Sequence, residues 1–389
     1  MKRALDAPVG VMLFLPDLDG GGAQRTFVNL ANALPPDRIG RILVTGRANG
    51  PARAWLDPTV RLVDLGCGRM RAALAPLRRL VRARRPAVLF STMVDANILS
   101  AAATVGLSRR PAVVLRETNS HRSRDDLGAL RRRAIRWAYR RADMVVALST
   151  GVGRELVEDY GLDPAKVVTI PNPIDVGQWR AGADAARSRR PPWGEWAQGA
   201  PVLIGVGRLS RQKGFDLLLQ ALARLDASAA RLVLLGEGPE RGVLERLAAE
   251  LGLSQRVLMP GFVDDPVAWL AHADLFVLSS RWEGFGHAIV EAMACGTPVV
   301  STDCPYGPAD ILQNGETALL VPPENPALLA QAIDRMVEDR ELSDRLALAA
   351  SATAERFSSV RIARLYADLL VEAAAPSRET SRSSRHLSP

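Results

Sequence analysis

Glu283 and Glu291 bracket seven residues in the stretch Glu283-Gly284-Phe285-Gly286-His287-Ala288-Ile289-Val290-Glu291, which continues Ala292-Met293-Ala294-Cys295-Gly296-Thr297-Pro298. Gly284 and Gly286 let the backbone turn tightly and come close to a ligand. The run that follows predicts a helix over about 287–295, with Gly296 just past its end, Pro298 stopping it and Val299-Val300-Ser301 as the next strand. A helix start fed by a glycine-bearing loop gathers unpaired N–H groups and the positive end of the helix dipole, so it suits an anion. Glu283 is then placed on the loop and Glu291 on the second turn. Carboxylates hold phosphate poorly but accept strongly from hydroxyls, so sugar hydroxyls are the expected partners. On local content alone the pair also fits two solvated helix-start residues.

A second stretch, Gly205-Val206-Gly207-Arg208-Leu209-Ser210-Arg211-Gln212-Lys213-Gly214, closes an apolar strand and opens a helical run. A strand, a glycine-bearing loop with two cations and a helix start make a cradle for a diphosphate: Arg208 brings a planar fork, Lys213 a mobile point charge. With those two charges in place the expected site needs no metal and no cofactor. A third loop, Asp19-Gly20-Gly21-Gly22-Ala23-Gln24-Arg25, lies between the first strand and a helix running to about residue 34. Gly21 and Gly22 give a ligand room at that helix start, or they form a plain flexible turn. Near a strand end, Arg116-Glu117-Thr118-Asn119-Ser120-His121 gathers polar groups, with Glu117, Asn119 and His121 as acceptor-side or sugar-side candidates. A histidine in such a place is also often a hydrogen-bonded structural group.

The stretch from Glu283 to Val300 resembles the signature of the retaining nucleotide-sugar glycosyltransferases of family 4, which have the GT-B fold and include enzymes of polysaccharide assembly. Gly207-Arg208-Leu209 with Lys213-Gly214 is similar to that family's donor-phosphate motif, and Gly21-Gly22-Ala23-Gln24-Arg25 to its Gly-Gly-Ala-Glu-Arg loop, with Gln24 where glutamate is frequent. Asp303-Cys304-Pro305-Tyr306-Gly307-Pro308-Ala309-Asp310-Ile311-Leu312 resembles a segment of polysaccharide-assembly members, with Asp310 in place of glutamate. The resemblance implies a transfer of a hexosyl or N-acetylhexosaminyl group from a nucleotide diphosphate sugar, expected to be a UDP-sugar, to a saccharide hydroxyl. It also implies roles. Glu291 would hold the ribose, Glu283 would contact the transferred sugar, and Gly284, Phe285 and Gly286 would line the donor. Arg208, Lys213, Gly21 and Gly22 would hold the phosphates, and Glu283, Arg208, Lys213 and His121 make the catalytic set.

These residues need elements to carry them. Strand-like runs alternate with helical patterns, which predicts an α/β chain with parallel sheets covered on both faces. In the first half the expected strands are 10–15, 42–45, 87–91, 112–116, 144–148 and 167–170; in the second, 202–206, 231–235, 257–259, 275–278, 298–301 and 318–321. Two Rossmann-like, doubly wound halves facing across a cleft are expected to bind ligands at their strand C-termini. The expected domains are 1–175 on the acceptor side, a Pro- and Arg-rich linker over 176–200 and a donor domain over 201–360. A terminal helix over 361–375, returning to the first domain, and a disordered tail over 376–389 complete the chain.

Length and an apolar fraction of 48% fit two cores, and no apolar run is long enough to span a bilayer. Val9 to Leu15 reads as a first strand rather than a signal peptide, and three cysteines without metal-like spacing fit a reduced, cytoplasmic chain. Residues 1–180 hold 29 Lys+Arg against 16 Asp+Glu, a balance of +13, and the rest of the chain carries −5. Arginines cluster at 78–85 and at Arg131, Arg132, Arg133, Arg136, Arg140 and Arg141, where Leu127, Leu130, Ala134 and Trp137 recur at helical spacing. This predicts an amphipathic helix whose basic face is either solvated or set on an anionic membrane surface, bringing the enzyme to a lipid-linked saccharide acceptor. Nucleic acid is not expected, since aromatics are 5% of residues and no basic-aromatic interleaving occurs. Another GT-B enzyme, such as a sugar epimerase or phosphorylase, and a non-catalytic membrane-binding scaffold are the alternatives.

Overall fold

The computed structural model describes residues 7–19, 21–122, 128–226 and 229–375. Two compact units divide the chain, 1–173 with 359–389, and 174–358.

The first unit is built on seven parallel strands: β1 (Val9–Leu15), β2 (Ile39–Thr45), β3 (Arg61–Asp64), β4 (Val88–Thr92), β5 (Ala112–Glu117), β6 (Met144–Ala147) and β7 (Val167–Thr169), in the order β3-β2-β1-β4-β5-β6-β7. Central strands in such a sheet are covered on both faces and therefore read as continuous apolar runs rather than alternating ones. β4 is buried at every residue, and so are the last five residues of β1. Phe27, Phe90 and Leu13 form one core face together with Ile362, Tyr366 and Leu370 of the terminal helix Ser359–Ala374, so that helix belongs to the first unit. The Tyr366 hydroxyl accepts from Arg116 Nε at 3.1 Å, and the rest of that fully buried guanidinium donates to Thr92 and Asn172.

The second unit has six parallel strands: β8 (Val202–Val206), β9 (Arg231–Leu235), β10 (Val257–Gly261), β11 (Leu275–Leu278), β12 (Val299–Thr302) and β13 (Leu319–Val321), in the order β10-β9-β8-β11-β12-β13. Both sheets are doubly wound. The chain steps outward from β1 to β3 and from β8 to β10, then restarts on the other side of the first strand at β4 and at β11.

Two expectations need correction. The segment over 176–200 is not a linker: Val176–Arg187 is a helix capped by the Asp175 carboxylate, which accepts from Gln178 N at 3.0 Å. Its apolar residues are mostly small alanines, so the pattern was weak, and it lies in the second unit close against Val267, with Ala186 O bonded to His272 at 2.9 Å. Trp193, 9% exposed, anchors the following turns beside Trp269. The basic helix, Ala129–Arg141, also turns a different face inward. It buries Ile135, Ala138 and Tyr139, while Leu130 is 84% exposed and Trp137 42%. Leu127 and the tail over 376–389 lie outside the described residues. Among the described residues no helix is long and apolar enough to cross a membrane.

Candidate functional site

In a doubly wound sheet, ligands gather beyond the strand C-termini at the point where the winding reverses. In the second unit that point lies between β8 and β11, whose Leu203 and Leu275 are paired. The loop after β8 carries Arg208 and Lys213, and the loop after β11 carries Glu283. They meet. Lys213 Nζ lies 2.7 Å from Glu283 Oε1, and Ser280 Oγ donates to the same oxygen at 2.6 Å. Gly214, at φ +60°, ends the turn Arg211–Lys213 and begins the helix Phe215–Leu222. A Cβ there would run into the Ser279 carbonyl oxygen, so only glycine allows the two loops this approach.

Glu283 is 5% exposed and its backbone N–H donates to Pro305 O at 3.1 Å. Gly284 and Phe285 are buried, and the Phe285 ring packs edge-on to Phe357 at 5.6 Å. Gly286, at φ +102°, leads into the helix His287–Ala294, which ends as the sequence predicts, with Gly296 at φ +73°. Ile289, Val290 and Met293 bury the core side of that helix, and Glu291 sits half-buried on its second turn. Arg208 is exposed on the same loop as Lys213. The loops therefore offer the exposed Arg208, a Lys213 already paired with a buried carboxylate, and a helix start preceded by glycine. Such a set can accept an anion if Lys213 exchanges part of its bond to Glu283 for a phosphate oxygen.

In the first unit Gly21 caps the helix Gly22–Ala33 with extended backbone, and a Cβ at Gly22 would meet nothing within 4 Å. A Cβ at Gly21 would instead lie 2.7 Å from Gln24 Oε1, so the space over the helix start is open at Gly22 and occupied by the Gln24 amide at Gly21. Gln24 is buried and its Nε2 donates to Asp17 Oδ1 at 2.9 Å, which ties the helix start to the loop after β1. Asp17-Leu18-Asp19 is an Asp-x-Asp sequence, so expecting a metal-free diphosphate site rests on Arg208 and Lys213 alone.

Glu117, Asn119 and His121 separate. Asn119 is exposed, whereas Glu117 and His121 are 3% and 1% exposed inside a closed network. His121 Nε2 lies 3.0 Å from Glu117 Oε2 and its Nδ1 2.6 Å from the Tyr160 hydroxyl. Glu117 Oε1 accepts from the N–H groups of Thr118 and Asn119, and Oε2 from the Tyr139 hydroxyl. Burial pushes the Glu117 carboxyl upward, but His121, Tyr139 and the Asn119 N–H together hold it below its ordinary range. The same burial and the Glu117 charge raise the Tyr139 hydroxyl well above its usual value.

Sequence reasoning missed several residues here. Ser280 shares the Glu283 oxygen, and Arg281 pairs bidentately with Asp216 at 2.8 Å for both bonds. Arg281 and Asp216 are 65 residues apart and carry no local signal, whereas Ser280 lies three residues before Glu283 on the same loop. Met93, between β4 and the helix Val94–Ala103, has φ +74°, a strained backbone at the first unit's own winding reversal.

Residues 20–178 match the family model Glycosyltransferase Family 4, and residues 191–353 match Glycosyl transferases group 1. The lipopolysaccharide core biosynthesis glycosyltransferase LpsE of Rhizobium meliloti is 32% identical over 359 residues, covering 90% of this chain and 96% of that protein. The N-acetylgalactosamine-N,N'-diacetylbacillosaminyl-diphospho-undecaprenol 4-alpha-N-acetylgalactosaminyltransferase of Campylobacter jejuni is 33% identical over 229 residues, and the match spans 58% of this chain and 59% of that enzyme. The crystal structure of Anabaena Alr3699/HepE in complex with UDP superposes with a TM-score of 0.80 at 23% identity, over 93% of this chain and 99% of that one, a likeness of fold. With two parallel doubly wound sheets and a match of this length, the chain belongs to glycosyltransferase family 4 and has the GT-B fold.

Proposed function

We propose that this glycosyltransferase moves a hexosyl or N-acetylhexosaminyl group, with retention, from a UDP-sugar to a hydroxyl of a lipid-linked saccharide during cell-surface polysaccharide or glycoconjugate assembly. The observation that carries the donor side is the Lys213–Glu283 pair at the winding reversal of the second sheet, beside the glycine-fed start of the helix His287–Ala294. Arg208 and Lys213 stabilise the departing diphosphate, an electrostatic contribution that is largest where charge develops. Glu291 accepts from the ribose hydroxyls, and Glu283, released in part by Lys213, accepts from the transferred sugar. Retention follows if the acceptor approaches on the face that the phosphate leaves, with a phosphate oxygen taking the acceptor proton. Gly21 and Gly22 present the helix start to the phosphate or the acceptor, with open space at Gly22. On the acceptor side, Asn119 is the exposed candidate, and His121, enclosed with Glu117 and Tyr160, fixes the segment that carries it.

The names of the relatives support the acceptor class: a lipopolysaccharide core enzyme and one acting on a diphospho-undecaprenol saccharide. The UDP held by the Anabaena protein supports the base. Exposed Leu130 and Trp137 with exposed Arg133 on the same helix, and the Arg141 guanidinium 5.8 Å from the Trp137 ring centre, support reversible docking on the cytoplasmic face of an anionic membrane. The direct test is a thermal-shift screen of nucleotide sugars, because a ligand at 100 times its Kd stabilises by about 2.7 kcal/mol. Labelled transfer to a lipid-linked saccharide follows, with and without excess chelator. Transfer that stops with chelator and returns with Mg²⁺ sinks the metal-free account; product formed without any acceptor points to an epimerase or hydrolase instead.

A further inference from the structure

Three successive carbonyls of the short turn that carries Lys213 are held by one neighbouring segment. Arg281 Nη1 donates to Arg211 O at 2.9 Å, Arg281 N to Gln212 O at 2.8 Å, and Ser279 Oγ to Lys213 O at 2.9 Å. Gln212 Nε2 returns a bond to Trp282 O at 3.0 Å. The backbone of the turn is thus bonded to the segment 279–282, and the Lys213 side chain extends to Glu283, next along that segment. Arg281 does the most in this junction. Its Nη1 and Nη2 grip the two oxygens of Asp216, on the first turn of the helix Phe215–Leu222, and its Nε donates to Glu324 at 2.6 Å. With its side chain 11% exposed and these donors engaged inside the unit, Arg281 is not offered to a ligand.

We propose that Arg281, through Asp216 and the Arg211 carbonyl, is a positioning residue for the donor diphosphate: it sets where Lys213 stands and so how tightly the phosphates are held. The inference rests on the donor reading above. A planar fork suits this task and an ammonium does not, because only the fork bonds both Asp216 oxygens and a carbonyl at once. A small misplacement of a charged group at a reaction centre is enough to cost up to about a hundredfold.

The experiment is a double-mutant cycle on the full chain. Affinities for UDP, GDP and ADP are measured by calorimetry in wild type, Arg281→Gln, Lys213→Ala and the double variant, with Tm recorded for each. Arg281→Gln is expected to weaken the tightest of the three diphosphates about tenfold, and to add less than twofold once Lys213 is gone. Asp216→Asn, a milder change, is expected to show the same coupling, and Arg281→Lys to restore Tm but not affinity. An equal loss from Arg281→Gln in both backgrounds, or full affinity in Arg281→Gln and Asp216→Asn, overturns the role. Wild-type affinity in Lys213→Ala overturns the donor reading, and this role with it.

Discussion

The two sheets reverse their winding in the same way, yet they treat polar residues at their strand ends differently. Beyond β8 and β11 the groups are charged, opposite in sign and near solvent: Arg208 is exposed and the Lys213 side chain is 17% exposed against Glu283. At the end of β5 in the first unit, Glu117 and His121 are sealed among the Tyr139 and Tyr160 hydroxyls, and the open feature is Gly22 at a helix start. Charge that must meet a diphosphate has to remain able to change partners, which a fully enclosed pair does not. Enclosure serves another end. It holds the segment 117–122 in one conformation, because Glu155 accepts from Ser120 Oγ and from the N–H groups of His121 and Arg122. One unit thus keeps its charges exchangeable, and the other uses its polar groups to fix a backbone.

The contrast breaks most readily at the cations. Arg208→Ala and Lys213→Ala are each expected to lose about 2 kcal/mol or more of transition-state stabilisation with Tm little changed for Arg208→Ala. Near-normal turnover in both removes the exchangeable charge from the reaction. The two carboxylates sharpen the same side: Glu291→Gln should weaken UDP about tenfold, as a lost bond to a charged acceptor does, whereas Glu283→Gln should lower turnover more than UDP affinity. Equal losses in UDP affinity contradict that division.

The enclosed network makes a prediction of the opposite kind, on stability rather than binding. Because the folded Glu117 carboxyl is held below its ordinary value of 4.5, its contribution is complete above that value and is lost as pH falls through the lower folded one. Acid denaturation followed by circular dichroism should therefore show a steeper loss below pH 4.5 in wild type than in Glu117→Gln, with UDP affinity at neutral pH the same in both. A parallel loss in the two chains removes Glu117 as the cause. The smallest effect on the fold belongs to the exposed helix: Leu130→Ser, Arg133→Ser and Trp137→Ser together should shift stability by under about 0.5 kcal/mol per site. Sedimentation with anionic vesicles at low salt should nevertheless drop severalfold, and unchanged sedimentation, or equal binding to neutral vesicles, leaves those residues a solvated face. Arg136 and Arg140 are left out because they donate to the Asp159 and Tyr160 carbonyls, and Arg132 because its charge acts on the Asp159 carboxylate.

Much of this was legible along the chain. β8, β9 and β11 have the bounds their apolar runs predict, since buried parallel strands announce themselves as nearly continuous apolar runs. The helix after Gly286 and its stop at Gly296 were equally plain, because both ends depend on glycines at positive φ. β3 was missed: Arg61–Asp64 is a four-residue edge strand whose residues are all at least partly exposed, so it has no apolar run to show. The helix Val176–Arg187 has a linker-like sequence because alanine gives little contrast between faces, and Pro191 and Pro192 follow closely after it. Leu130, Ala134 and Trp137 share a helical spacing, yet the inward face follows Ile135 and Tyr139, which periodicity alone did not choose. The Lys213–Glu283 contact was implied only as two roles at one site. Its supporting bonds join residues about 70 apart in sequence, and nothing local records them.

The terminal helix makes the first unit a piece of chain that is begun first and finished last. As the polypeptide leaves the ribosome, β1 to β7 emerge without Ile362, Tyr366 and Leu370, so the face around Phe27 and Phe90 waits uncovered, and Arg116 lacks its Tyr366 partner. The second unit, a single uninterrupted segment over 174–358, has its whole sheet available before that helix is made. Domains tend to fold as units in the order in which they are completed during synthesis. The order of completion here is the reverse of the order of appearance, and a chain cut after residue 358 contains the whole sequence of the second unit but lacks the last core element of the first.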